Sequence, residues 1–339
     1  MAKKENTPFG ILVESIGLYF SNFDKFLKYM TFPVLGQIAG LILVFFTTYF
    51  YTINMPKLIV KFPNLNNLST LIVISIVISL PGLAIFCKAF WEYLVAYGAV
   101  NSMLENMLRS GKVYDFDAHT ELIKRRSIPF IGLWLLFGIF SLIAVCPLMW
   151  IICAVFAIYF VLVFQVFTFE PELSPMGCVK KSLMLVKGHF GSTLMLFAFI
   201  GLITYMLIPQ IIVKGFDAIG LNLAFSNAIM PFVKLLPELD FSQYGLGSIT
   251  HSDMALFTIQ TTVAQILIQY TLPLRSILWS MWYKELNNGI PKQELPASKK
   301  KSKKRPSEKL MEASKQRSSK TKLDDNIIRR AMEKPEDEE

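Results

Sequence analysis

The sequence predicts an all-α, polytopic integral membrane protein of six transmembrane helices, with interfacial amphipathic helices preceding its hairpins. Three observations lead there. Of the 339 residues, 53% are hydrophobic and 17% charged, against about 25% charged in soluble domains, and the mean hydropathy is +0.46. Charge-free windows long enough for the ~20 apolar residues of a helical span recur along the chain. Lysine and arginine alternate between the connecting segments as they do around membrane spans.

The first window, 29 to 56, lies between Lys28 and Lys57; the second, 62 to 87, carries Pro81, where a kink is expected. Residues 127 to 169 form an uncharged run of 43, twice what one helix needs, and Cys146-Pro147 near its middle marks a hairpin of two spans. Windows at 188 to 213 and 254 to 274 complete six. The N-terminal segment, the loops at 88–126 and 170–187, and the region from Arg275 onward hold 30 of the 34 basic residues. Both termini are therefore expected in the cytoplasm, in a bacterial cytoplasmic (inner) membrane. The first apolar run is too long for the core of a cleavable signal peptide and serves as the targeting signal itself. Three regions are expected: an interfacial helix over 1–29, a six-helix membrane domain over 30–290, and a basic tail over 291–339.

Residues 7–23 and 174–190 align without a gap. Pro8, Gly10, Ser15, Leu18 and Phe23 match Pro175, Gly177, Ser182, Leu185 and Phe190, and Thr7 matches Ser174 conservatively. Each copy opens with a capping hydroxyl followed by proline at the first helical position, where its missing N–H costs nothing, and each leads into a span. In the second copy Met176, Val179, Leu183 and Val186 recur at helical spacing, with Lys180, Lys181 and Lys187 around them. Such a helix is expected to lie among anionic headgroups. Residues 117–130 repeat the plan of a short charged helix feeding a span.

The pattern S-P-x-x-x-x-x-x-S-L-x-L-V-K-G-H-F at Ser174–Phe190, set among six spans, resembles the membrane domain that precedes some bacterial glycerophosphodiester phosphodiesterases and occurs in related uncharacterised membrane proteins. The resemblance covers roughly residues 7–290 and implies a six-helix domain. The fused enzymes carry a soluble barrel, whereas here 291–339 is a short basic segment, so no phosphodiesterase activity is expected.

Candidate chemistry is sparse. His119, His189 and His251 lie in different segments, Cys87, Cys146, Cys153 and Cys178 form no metal-ligand spacing, and no nucleotide-binding or hydrolase motif is present. No enzyme activity, cofactor or metal is expected. Polar residues at membrane depth are better candidates. Thr258, Thr261, Thr262, Gln265 and Gln269 share one face of the last span, with Gln260 opposite. They read either as the wall of a polar path or as hydrogen-bonding contacts to a neighbouring helix. Gln165 could face the same interior. Glu92 reads as an i,i+4 partner of Lys88 or as a carboxylate drawn into the bundle. Glu170 is expected to pair with Lys180 or Lys181. The long segment 214–253 is expected to form one or two helices on the outer face.

Residues 297–323 hold 11 basic and two acidic residues, a net +9 equal to that of the whole chain. Such a tract cannot fold on its own. Lys299, Lys300, Lys301, Lys303, Lys304 and Arg305 are expected to contact anionic lipid at about 1 kcal/mol each, with RNA or a ribosome as an alternative ligand. A protein partner could fold residues 323–334 into a short helix. The function expected is that of a non-catalytic membrane protein acting through lipid or protein partners. A transporter or channel lined by the last span and a biogenesis factor with a ribosome-binding tail are the alternatives.

Overall fold

A computed structural model describes residues 7–63, 67–236 and 247–288. The chain divides into two units, Met1–Pro296 and Ala297–Glu339; the second, and with it the six basic tail residues named above, lies outside the described residues. Every regular element described is helical.

The two repeat copies form α1 (Pro8–Ser21) and α8 (Pro175–Lys187). Thr7 Oγ1 accepts from the Gly10 amide at 3.2 Å and Ser174 Oγ from the Gly177 amide at 3.2 Å. A β-carbon on either glycine would press on that capping oxygen, at 3.2 and 3.3 Å respectively, so hydroxyl, proline and glycine act as one capping unit. The matched serines are both fully buried: Ser15 donates to Ile11 O and Ser182 to Tyr159 O, each at 2.7 Å. Cys178, Ser182 and Val186 are buried, whereas Met176 and Leu183 are exposed, because the small side chains at 178 and 182 allow closer approach to the core than the larger apolar ones.

α2 (Phe23–Lys61) and α3 (Leu68–Ser110) form an antiparallel pair of 39 and 43 residues, about 58 and 64 Å long. Either is roughly twice the ~30 Å hydrocarbon thickness. Both contain proline without ending, at Pro33, Pro56 and Pro81. Their backbones touch where Gly40 faces Gly82. A β-carbon on Gly40 would stand 2.6 Å from Phe86 N and 2.8 Å from Gly82 O, and one on Gly82 would stand 2.7 Å from Val44 N. At the start of α2, the buried Asn22 donates to Leu18 O and Gly111 O and accepts from the Val113 amide, all at 3.0 Å. It thereby clamps the left-handed turn at Gly111 (φ 66°) that ends α3.

α4 (Phe116–Lys124) bends by 76° into α5 (Ser127–Ile143). The chain turns at Cys146-Pro147, where the hairpin was expected, and returns as α6 (Trp150–Phe160) and α7 (Val163–Phe169). Arg126, at the α4–α5 bend, donates to Phe167 O at 2.6 Å and stacks 4.0 Å above its ring, closing one of the carbonyls left open at the end of α7.

α9 (Phe190–Gly201) passes through a π-helical turn, Leu202–Leu207, into α10 (Ile208–Ala218). Within the segment expected to hold outer helices, α11 (Leu221–Val233) packs against α12 (His251–Tyr270). The last charge-free window does not end as a simple span. The chain breaks at Thr271 and starts α13 (Leu272–Leu286), with Pro273 in its first turn. This helix packs against α1, α3, α7 and α8, and every residue from Leu272 to Tyr283 except Arg275 is buried.

Four helical stretches are long and apolar enough to cross a membrane, five if the bent α4–α5 pair counts as one. Six were expected. α5 alone has 17 residues, and the threonine and glutamine face of α12 lowers its hydropathy. Along α3 apolarity and burial run oppositely. Only 6% of the most apolar window of α3 is buried, whereas Val95, Ala99, Val100, Met103, Leu104 and Met107 further along are sealed in the core. That core joins α1, the second half of α3, α7 and α13, and the apolar first half of α3 and outer half of α2 are left uncovered, a surface suited to lipid.

Candidate functional site

A cavity of about 530 Å³ opens where α12 gives way to α13. Tyr93 and Tyr97 of α3, Trp134 of α5, Phe164 of α7, and Phe197, Ile200 and Gly201 of α9 form its walls, together with Tyr205 from the π-helical turn and Leu272, Arg275 and Trp279 of α13. Two departures from regular helix place its polar end. The π turn, a distortion frequent at functional sites, carries Tyr205, and the break at Thr271 puts Arg275 in the first turn of a new helix. Arg275 Nη2 donates to Ile268 O at 3.0 Å, Nη1 donates to the Tyr205 hydroxyl, and the guanidinium lies 4.9 Å from the Tyr205 ring. Its Nε is buried without a partner, as is the indole N–H of Trp134. Among the described residues no carboxylate forms an ion pair with Arg275.

Beside the cavity lies a dry polar knot. Gln165 Nε2 donates to the Tyr97 hydroxyl at 3.2 Å and to Asn101 Oδ1 at 3.3 Å. The same Asn101 oxygen accepts from Ser280 at 3.1 Å and from Ser276. Asn101, Gln165, Ser276 and Ser280 are all fully buried. Asn101 Nδ2 and Gln165 Oε1 find no partner, a cost the surrounding packing must carry.

The five residues read as a polar interior are held in separate places. Gln165 belongs to the knot. Gln269 accepts from Gln37 Nε2 of α2 at 3.3 Å, Thr262 donates to Thr258 O of its own helix at 2.7 Å, and Gln265 is exposed. Glu92 meets neither expectation: its carboxylate pairs with Lys124 of α4 at 2.8 Å, while Lys88 sits 5.6 Å above the Phe32 ring. The bend between α4 and α5 brings Lys124 back over α3, a contact between segments 32 residues apart that helical spacing could not reveal. Gln260, opposite the stripe, donates to both oxygens of Asp217 at 3.1 Å. On α8, Lys181 stands 3.7 Å from Glu170, which also accepts from the Tyr283 hydroxyl at 2.6 Å; Lys180 and Lys187 are exposed. Sequence reasoning missed Arg275, the tyrosines around it and Asn101.

A second polar contact ties α4 to α3. His119 is buried, with Nδ1 2.7 Å from Ser102 Oγ and Nε2 3.3 Å from Asn106 Nδ2. The single Ser102 proton goes to Ala99 O at 2.8 Å, so Ser102 accepts from Nδ1–H and Nε2 accepts from Asn106, which describes a neutral imidazole. Burial pushes the His119 pKa down from 6.5 to about 4, against a small opposing pull from Asp115. The unfolded chain therefore takes up a proton that the folded one refuses. Stability falls as pH drops through 6.5 and levels off below 4, by about 3 kcal/mol in all. Thermal unfolding of the detergent-solubilised protein should show this loss, and His119→Gln should remove its pH dependence; an unchanged slope in that variant would refute the assignment.

Within the described residues no three His, Cys, Asp or Glu side chains are placed to hold a metal ion. The described residues form an all-α protein with four to five apolar helices able to span a membrane, and Arg275 stands in a cavity lined mostly by aromatic side chains. Comparison with protein-family models, with characterised proteins and with solved structures finds no match.

Proposed function

We propose that this chain is a non-catalytic, six-span protein of the bacterial cytoplasmic membrane, with both termini in the cytoplasm, that acts through lipid or protein partners. The observation that carries the reading is the exposure of α3: its most apolar window is left uncovered, while its second half, which carries Lys88, Glu92 and Glu105, is packed into the core. A soluble protein hides its most apolar segments, and a membrane protein shows them to lipid. The two further spans come from α5, continuous with the bent α4, and from α12, on whose polar face Thr258 and Thr262 bond to their own helix and Gln269 to Gln37. With six spans, 30 of 34 basic residues fall on one side. The amphipathic α1 and α8 then lie at that side, with exposed Phe9, Phe20, Met176 and Met184 facing the headgroup layer. The likeness of Ser174–Phe190 to the phosphodiesterase membrane domain fits the same architecture.

The test is topology mapping in a bacterial cell. Reporter fusions at the tips near residues 64, 146 and 240 should be active outside the membrane, and those near 112, 188 and 339 inside. Any reversal of that alternation would overturn the six-span arrangement, and specific saturable transport by the purified protein in liposomes would overturn the non-catalytic, partner-binding role.

A further inference from the structure

We propose that the aromatic cavity is a binding site for the phosphate headgroup of an anionic phospholipid, with Arg275 as its charge partner; the assignment rests on the membrane-spanning reading above. The Arg275 guanidinium lies against the Tyr205 ring with its Nε buried, in a cavity lined by Tyr93, Tyr97, Trp134 and Trp279, and a charge in such a place calls for a counter-charge. None is supplied by the described residues. The protein does, however, fix the group's position: Ile268 O and the Tyr205 hydroxyl hold its two terminal nitrogens.

The occupant follows from the surroundings. A volume of about 530 Å³ falls in the range of small-molecule sites, larger than a bare phosphate requires, and the walls are mostly apolar. A molecule with one anionic end and an apolar remainder satisfies both. The cavity also stands between helices whose outer faces are apolar and uncovered, as at Phe199 and Leu202 beside the π turn, so acyl chains could stay in the bilayer while the headgroup enters. Arginine suits a phosphodiester because its planar fork donates to two oxygens. Lys180 and Lys187 of α8 are exposed and attract anionic lipid in general; the cavity differs in being able to select one molecule.

The experiment uses the full-length protein in phosphatidylcholine vesicles, with increasing fractions of phosphatidylglycerol brominated on its acyl chains. Trp134 and Trp279 line the cavity, whereas Trp150 is exposed and reports bulk lipid. Brominated phosphatidylcholine at the same fraction measures the bulk quenching. The expected result is an excess, saturable quenching by phosphatidylglycerol. Arg275→Gln should shift its midpoint by about tenfold or more. Gly201→Leu keeps the charge but fills the space; a β-carbon at Gly201 meets nothing within 4 Å, so this variant should fold and still lose the excess. Circular dichroism verifies folding, and if Arg275→Gln does not fold, Gly201→Leu decides. Equal quenching by the two lipids, or an excess unchanged in the folded variants, would overturn the proposal. Displacement of the excess by inorganic phosphate would overturn it too, in favour of a soluble anion. If the topology map fails, the spanning reading falls; if the map holds and the lipid preference is absent, only the cavity assignment falls.

Discussion

Replacing Gly40 by alanine or valine is expected to force α2 and α3 apart, with a loss of about 3 kcal/mol or more. The size follows from what the new β-carbon meets. At 2.6 Å from Phe86 N and 2.8 Å from Gly82 O, it strikes the backbone of the facing helix, which cannot rotate aside as a side chain can. Gly82→Val should do the same from the other side, since its β-carbon would stand 2.8 Å from Gly40 O. Gly36→Ala meets the Ala89 methyl at 2.8 Å and should cost less, because the group it strikes is a side chain and not the backbone of the facing helix. Gly132→Ala and Gly138→Ala are the controls. Nothing lies within 4 Å of either β-carbon, so each should be neutral or gain up to about 1 kcal/mol of helix propensity. Thermal unfolding of the five variants in one detergent tests the series. Equal effects at 40 and 132 would mean that the helices do not touch at Gly40.

The second large effect is expected at Asn101. Asn101→Leu removes the oxygen on which Gln165, Ser276 and Ser280 converge. The serines recover easily, Ser276 by turning to Tyr97 O at 3.2 Å and Ser280 by bonding within its helix. Gln165 retains only the Tyr97 hydroxyl and is left more poorly satisfied in a fully buried place. A loss of about 2–3 kcal/mol is expected. Gln165→Leu alone should cost less, because Asn101 keeps its two serines. The double variant is the informative one. Two apolar side chains of similar size remove the stranded groups together, so Asn101→Leu/Gln165→Leu should be more stable than Asn101→Leu alone, with a coupling above about 1 kcal/mol in the double-mutant cycle. Additive losses would show that the two amides do not act on each other.

How much of this could be read from the chain depended on whether the signal was local. The caps at Thr7-Pro8 and Ser174-Pro175, the turn at Cys146-Pro147 and the apolar windows are set by neighbouring residues, and all were legible. α13 was not. A helix buried on every side has no polar stripe and so no period to read, and Arg275 ends the charge-free window four residues past the true break at Thr271; the one local sign is Thr271 two residues before Pro273. The cavity is scattered over α3, α5, α7, α9, the π turn and α13, and in each of these its aromatic residue reads as ordinary packing. Asn101 lay in a stretch taken for a cytoplasmic loop because Lys88, Glu92 and Glu105 bracket it, although α3 runs through all three. On α8 the matched serine of the repeat pointed to the buried face better than apolar spacing did. Gly36 and Gly40, four apart, are a local sign of a close helix contact, but their partners, Ala89 and Gly82, are known only from the fold.

The partnership of α1 with α13 also sets a timetable. Ser15 touches Met281 across 266 residues, and at 5–20 residues per second of synthesis the first helix waits roughly 15–50 s for the last. During that interval Phe26 of α2 and then α9 are the partners α1 can reach, and the surface that α13 will take is open. A bilayer surface is the nearest apolar shelter for it, so that part of α1 is expected to exchange lipid for protein only when the last helix arrives.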